Sequence, residues 1–367
     1  MPKILINGLQ LSDQNTGVQY YTRSLYLEFL KRNDKDYSFH LLQGSSCDFQ
    51  AQRTTRYRRI LLENFSLPVN FRKHNFNLYH SPNYVLPYFS SLPSVLTIHD
   101  LLTLNCPELC QTESALYFRF FLPHSVKKAI KIIAVSDTVK KDILDHFNIP
   151  EKKVDVIYHG INHRFKKSNN EVILKKYDLP KKYILFVGNI EPKKNLERLV
   201  QAFNLLKKDT DLPHKLVIAG KKGWKYKSVF STITRLKIAN EIIITGYIPE
   251  DDLPSVYSMS DLFAFPSLYE GFGIPPLEAM ACEVPVLVSN QGALPEITGG
   301  KCLQVNPFDI HEIAQGMHRL LSDGHLRKKT VLAGIEWVKR FTWEKAAEET
   351  LSIYKQVINE MDQTNAG

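Results

Sequence analysis

Leu262-Phe-Ala-Phe-Pro266-Ser267-Leu-Tyr-Glu270-Gly271-Phe272-Gly273-Ile274-Pro-Pro-Leu-Glu278 decides the fold, because it reads as an apolar strand, a glycine turn and a helix start in immediate succession. The run Leu262–Ala264 is short, apolar and bounded by turn residues, as a buried strand is. Gly271 and Gly273 remove side chains where backbone must come close to a ligand. Pro275-Pro276 suits a first helical turn, so a helix is expected over Pro276–Cys282, its positive end turned toward an anion such as a diphosphate. Glu278, in the expected first turn, can accept hydrogen bonds from vicinal hydroxyls such as those of a ribose, and Glu270 can accept one on the other side of the phosphates. The same carboxylates also favour a helix start through its dipole alone.

Working outward, the same rhythm recurs. Strands are expected at Lys3–Ile6, Ser38–Leu42, Leu78–His80, Ser94–His99, Ile132–Val135 and Val154–Tyr158, then at Tyr183–Val187, Lys215–Ala219, Ile242–Thr245, Leu262–Ala264 and Val286–Val288. Helical patterns separate them, which predicts an α/β chain of doubly wound, mainly parallel sheets. At 367 residues the chain exceeds one core, so two domains flanking a cleft are expected. The polar stretch Gly160–Pro180 reads as the passage between them, and Trp343–Met361 as a long closing helix.

Three further constellations fall at expected strand ends, where open α/β sheets bind ligands. Gly188 ends a strand before Glu191-Pro-Lys193-Lys194-Asn195, whose lysines can neutralise phosphate oxygens, one facing the site and the other solvent. His99-Asp100 closes another strand, where the imidazole can bind a sugar hydroxyl or a reacting oxygen, or be structural. Gln14-Asn-Thr-Gly17 is a loop that can close over phosphates, yet it is not G-x-G-x-x-G, so no dinucleotide cofactor is expected.

Other patterns do not carry chemistry. Asp34-Lys-Asp36 matches a metal-binding D-x-D but precedes a strand instead of closing one. Ser136 reads as a helix cap. Cys47, Cys106, Cys110, Cys282 and Cys302 are odd in number and irregular in spacing, which argues against a disulfide framework; Cys106 and Cys110 are too isolated for a zinc site. Walker A and G-x-S-x-G sequences are absent. No long apolar run and no signal-peptide plan occurs, which makes a cytoplasmic location the expectation.

The net charge of +9 is concentrated early: residues 1–165 hold 20 Lys+Arg against 14 Asp+Glu, leaving 27 against 24 beyond. This suits anionic lipid or a phosphate-bearing small molecule; with no nucleic-acid signature, nucleic acid is not expected as a partner. Arg53, Arg56, Arg58, Arg59, Arg72 and Lys73, with Tyr117-Phe-Arg-Phe-Phe-Leu122 and Lys127, Lys128 and Lys131, suit peripheral docking on an anionic membrane surface. A buried aromatic helix with a solvated basic face explains them equally.

Taken together, the Glu270–Glu278 segment, Thr245-Gly-Tyr-Ile-Pro-Glu, Pro285-Val-Leu-Val and Ala293-Leu-Pro-Glu296 resemble the retaining GT-B glycosyltransferases of family 4, with weaker matches at Asn7, Thr16-Gly17-Val, Ile133-Ala-Val-Ser136 and Val156-Ile-Tyr-His-Gly160. The resemblance implies an acceptor-binding Rossmann-like domain over residues 1–165, a nucleotide-sugar domain over 166–342, and a helix over 343–367 crossing back to the first. It implies that Glu278 binds the nucleotide ribose. Glu270 with Gly271, Phe272, Gly273 and Ile274 would hold the sugar and diphosphate, Lys194 with Lys193 and Gly188 the phosphates, and Gly246, Tyr247 and Ile248 the base. Gly17 would close from the acceptor domain, and His99, Glu270 and Lys194 would form the catalytic set. Lys193 stands where the family more often has arginine.

The implied reaction moves a hexose from a nucleotide-sugar donor to a glycan or lipid-linked glycan acceptor, with no metal or other cofactor, since a helix start and lysines can stabilise the leaving diphosphate. Front-face attack would let that phosphate take the acceptor's proton, leaving His99 to position before it acts as a base. The segments also look like those of bacterial surface-polysaccharide enzymes, which leans toward mannose from GDP-mannose. A nucleotide-sugar epimerase or a phosphorylase on the same scaffold, and a non-catalytic nucleotide-sugar-binding protein, remain alternatives.

Overall fold

A computed structural model describes residues 1–11, 17–42, 71 and 74–366. Gln14, Asn15, Thr16, Cys47 and the cations Arg53, Arg56, Arg58, Arg59, Arg72 and Lys73 lie outside the described residues. The chain forms two compact units, Met1–Gly160 with Phe341–Gly367, and Ile161–Arg340.

In the first unit β1 (Lys3–Asn7), β2 (Ser38–Leu42), β3 (Leu78–Ser81), β4 (Ser94–Ile98), β5 (Lys131–Ala134) and β6 (Val154–Val156) form a parallel sheet in the order β2-β1-β3-β4-β5-β6. In the second, β7 (Tyr183–Val187), β8 (Lys215–Ala219), β9 (Ile242–Gly246), β10 (Leu262–Phe265), β11 (Val286–Ser289) and β12 (Leu303–Val305) run parallel in the order β12-β11-β10-β7-β8-β9. The central strands β7, β10 and β11 are buried almost throughout because helices cover both faces of such a sheet. Their continuous apolar runs made them legible. β12 has only three residues, one of them Gln304, and was not expected.

The second unit begins at Ile161, a few residues before the boundary expected at 165, and Phe165 meets Tyr257 at 6.0 Å between ring centres. The passage Gly160–Pro180 is anchored rather than loose: Ser168 N–H donates to Ser258 Oγ at 3.0 Å, and a short helix spans Val172–Lys176. The chain re-enters the first unit at Phe341, and the helix Trp343–Ala366 begins against Gly160, where any Cβ would fall 2.2 Å from the Trp343 nitrogen. Ala347, Leu351, Tyr354 and Ile358 pack with Ile4, Leu25, Phe29 and Val95 in one apolar cluster. Within that core a neutral polar chain links four elements. His80 Nδ1 pairs with Tyr354 Oη at 2.6 Å, His80 Nε2 with Thr97 Oγ1 at 2.7 Å, and Thr97 with Tyr21 Oη at 3.2 Å. Burial pushes the His80 pKa down to about 3, so the imidazole stays uncharged.

Candidate active site

The strand order of the second unit reverses between β7 and β10, and this is the switch point at which a doubly wound sheet leaves a crevice for ligands. Both decisive loops leave the sheet there. After β7, Gly188 leads to a tight turn over Pro192–Lys194 and to Asn195 in the left-handed conformation, φ 59°, before the helix Leu196–Asp209. After β10, Pro266 leads to Glu270 and to the helix Ile274–Ala281.

The two loops are bolted together. Buried Asn195 donates through Nδ2 to the carbonyls of Pro266 at 3.0 Å and Pro307 at 2.7 Å, and Leu268 N–H donates to the Lys193 carbonyl at 2.7 Å. This places Lys194 Nζ 2.6 Å from Glu270 Oε1 and 4.8 Å from the centre of the Phe265 ring. The two side chains are only 12% and 9% exposed, which makes the pair a buried one. Burial alone would raise the Glu270 pKa, but the Lys194 charge, with that of Lys193 added, outweighs it and holds the carboxyl below its ordinary range. Lys193, the partly exposed neighbour, adds its charge to that felt by Glu270.

The helix begins at Ile274, two residues before the expected start, because Gly273 at φ 92° ends the loop and Pro275 occupies the second helical position. Two corrections follow. Glu278 lies past the first turn, and Pro275 and Pro276 contribute no N–H, so the amide donors come from Gly273 and Ile274 instead of the next two helical residues. A Cβ on Gly273 would fall 2.6 Å from Leu294 Cδ2, which ties the helix entry to the segment after β11. The Glu270 carbonyl is held from the same side by Ala293 N–H at 2.9 Å.

Glu278 is also buried, and among the described residues no cation offsets it. Burial raises its pKa to about 8; a hydrogen bond from the Tyr257 hydroxyl to Oε2, 2.9 Å long, works the other way, and the Glu250 charge adds to the rise. Tyr247, beyond Gly246 (φ 75°), lies under Lys221 with Nζ 4.7 Å from the ring centre, and Ile248 is buried.

The first unit carries the remaining expected residues. Gly17 opens the helix Gly17–Arg32. His99 is the first residue beyond β4, not its last, and its Nε2 lies 2.9 Å from the Pro82 carbonyl. A carbonyl only accepts, so Nε2 carries the proton and Nδ1 the lone pair. Burial draws the His99 pKa down to about 4 and leaves the ring neutral. Asp34 accepts from Asp36 N–H at 2.8 Å in a local turn, and Ser136 caps its helix by accepting from Val139 N–H. Lys128 Nζ donates to the Pro87 and Tyr88 carbonyls and Lys131 pairs with Asp155, so these two lysines serve the fold; Leu116 and Phe120, on the helix Thr112–Lys128, are 63% and 76% exposed.

Asn195 and Tyr257 were not expected. Each acts on a residue far away in sequence, and no local pattern announces such a contact.

Two doubly wound sheets, one with acid and lysine at its switch point, define the GT-B class of glycosyltransferase. Solved structures of that class share the fold: sucrose-phosphate synthase from Thermosynechococcus elongatus has a TM-score of 0.80 at 20% identity, covering 98% of this chain and all of that one. HepE from Anabaena, in complex with UDP and glucose, has a TM-score of 0.75 at 17% identity, over 97% of this chain and 100% of that one. Residues 169–337 match the profile of the glycosyl transferases group 1, and residues 44–165 that of glycosyltransferase family 4. O-antigen chain mannosyltransferase B of Escherichia coli is 34% identical over 282 residues, spanning 76% of this chain and 74% of that protein. The chain belongs to this family of glycosyltransferases and is such an enzyme.

Proposed function

We propose that the chain transfers mannose from GDP-mannose to a glycan or lipid-linked glycan acceptor, with retention of anomeric configuration and without a metal. The observation that carries this reading is the buried Lys194–Glu270 pair at the switch point, bordered by the backbone of Gly271–Ile274. The choice of mannose is supported by the likeness to an O-antigen chain mannosyltransferase.

In this reading the second unit binds the donor. The diphosphate lies against the Gly273 and Ile274 amides and takes Lys194, aided by Lys193, as its counter-charge; Gly188 lets the backbone approach. Glu270 accepts from hydroxyls of the sugar, Glu278 from the ribose, and Gly246–Ile248 border the base. As the bond from the anomeric carbon to the phosphate oxygen breaks, negative charge grows on the leaving diphosphate. A fixed cation and aligned amides stabilise that charge more than they stabilise the ground state, which is what lowers the barrier. The acceptor oxygen bonds to the anomeric carbon on the same face, and its proton passes to the departing phosphate oxygen. His99, uncharged and protonated on Nε2, positions a sugar hydroxyl through Nδ1. The acceptor is held at an anionic membrane surface, a reading supported by the exposed stripe Leu116, Arg119, Phe120 and Lys127 of the helix Thr112–Lys128. No described helix is long and apolar enough to cross a membrane.

Purified protein incubated with GDP-mannose, an acceptor-lipid extract and EDTA should release GDP and form an α-linked product from the α-linked donor, as read by NMR. Release that requires added divalent metal, a β-linked product, or epimerised free nucleotide sugar would each sink a part of the reading. Flotation with anionic but not neutral vesicles at low salt tests the membrane contact.

A further inference from the structure

Glu278 and Tyr257 meet across two helices that the chain locks in place. Tyr257 lies in the helix Leu253–Ser258, where Pro254, Ser255, Val256, Tyr257 and Ser258 are all buried. Its ring is held edge-on by Phe263 at 5.3 Å and by Phe165 at 6.0 Å, and its carbonyl accepts from Ser260 N–H at 2.9 Å and Ser260 Oγ at 2.7 Å. The neighbouring Val256 carbonyl accepts from the buried Tyr183 hydroxyl at 2.6 Å. Both ends of the tyrosine are therefore fixed, and its hydroxyl reaches Glu278 Oε2 at 2.9 Å from a rigid base. Among the described residues no hydrogen bond reaches the other oxygen, Oε1.

Glu278 Oε1 is not among the fully buried side-chain atoms that lack a partner, so it keeps an opening through which a hydroxyl can reach it. A helix-to-helix staple would need only one oxygen, and Ser258 Oγ already makes such a link to the Cys282 carbonyl at 3.4 Å. Among the described residues few groups act on Glu278: the Tyr257 hydroxyl on the opposing helix through its hydrogen bond, the Glu250 charge before it, and Cys282 at the end of its own helix.

We infer that Tyr257 is a positioning residue for the donor site: it saturates Oε2 and turns the remaining oxygen of Glu278 toward the vicinal hydroxyls of a ribose. This rests on the assignment of Glu278 to the ribose. The phenol sets the rotamer of the carboxyl that meets the nucleotide, and by donating to it the phenol lowers the pH at which the accepting carboxylate forms.

The test uses the full chain and whichever of GDP and UDP binds it more tightly by calorimetry, beside the 2′-deoxy and 3′-deoxy forms of that nucleotide. Above pH 8, where Glu278 is ionised, wild-type protein should prefer the ribonucleotide to a deoxy form by roughly tenfold, the worth of one hydrogen bond to a charged acceptor. Glu278→Gln should abolish most of that preference. Tyr257→Phe, which keeps the ring packing and so should fold, should cut the preference by about threefold. It should also move the pH midpoint of binding upward, because the carboxylate loses a donor. In the double variant Tyr257→Phe should add nothing to Glu278→Gln.

If Glu278→Gln removes the preference while Tyr257→Phe leaves both preference and midpoint where they were, the inference fails and the ribose assignment stands. If Glu278→Gln leaves the preference intact, or neither nucleotide binds, the assignment of the donor site fails and the inference with it.

Discussion

The loop end and the helix end of one segment bury a glutamate each, and the two ionise in opposite directions. Glu270 is buried beside the ammonium of Lys194 and is held below the ordinary carboxyl range. Glu278, eight positions on, has a neutral phenol for its partner and is pushed up to about 8 by burial. The difference shows that burial by itself does not set the charge of an acid; what faces it does. A permanently ionised Glu270 can hold Lys194 still and accept hydroxyls. An acid poised near neutrality at Glu278 gains most from a ligand that brings hydroxyl donors to it.

The largest expected effect comes from breaking the charged end. Lys194→Met leaves a carboxylate buried without its cation, which should cost about 3 kcal/mol of stability, measured by urea denaturation, because an uncompensated buried charge is worse than none. Adding Glu270→Gln should recover most of that stability but none of the transfer rate, since the leaving diphosphate still lacks its counter-charge. A single variant as stable as the wild type would mean that Glu270 does not depend on Lys194.

Next is the pH dependence of the neutral end. Between pH 4.5 and 8 folded Glu278 keeps a proton that the unfolded chain has released, so its contribution to stability is full below 4.5 and is lost as pH rises through 8. His80 and His99, whose pKa values are lowered on folding, oppose this slope in the acid part of the window. The difference between wild type and Glu278→Gln isolates the acid, and it should fall as pH rises across the window. Glu270 has the opposite sign, its stabilisation being lost only as pH falls below the ordinary carboxyl range. Parallel stability curves for wild type and Glu278→Gln would erase the contrast.

A smaller effect tests the frame that holds the charged end. Asn195→Ala strips a donor from the buried Pro266 and Pro307 carbonyls and removes a residue that tolerates a positive φ, at a cost of about 2 kcal/mol in urea denaturation. Because Lys194 precedes it, transfer should slow more than nucleotide binding weakens. Equal losses in both would make Asn195 a matter of stability alone.

Most of the scaffold was legible because it is written in local pattern. Apolar runs such as Tyr183–Val187, Lys215–Ala219 and Ser38–Leu42 coincide with their strands to the residue. The helical spacing after Trp343 is likewise the packed face of the last helix. What was hidden is non-local or depends on one backbone angle. The helix of the decisive segment starts early because Gly273 takes a positive φ, which no spacing rule announces. The loop that carries Lys194 is tied down by Asn195, whose partners sit at 266 and 307, and Tyr257 reaches an acid on another helix. Such contacts exist only once the sheet has set its strand order.

The smallest effect belongs to a buried polar cluster in which nothing is charged. In the first unit His80 has a partner at each ring nitrogen, Tyr354 on one side and Thr97 on the other, and burial keeps the ring neutral. This is what a buried polar site looks like when every atom is satisfied, in contrast to Glu278 with one oxygen left over. Tyr354→Phe keeps the ring against Phe29 and removes one neutral hydrogen bond. It should therefore cost about 1 kcal/mol in thermal or urea denaturation and leave the transfer rate and its pH profile unchanged. A loss of activity at full stability would mean that the polar chain from Tyr354 through Thr97 to Tyr21, whose ring lies 4.9 Å from that of His99, sets the position of that histidine.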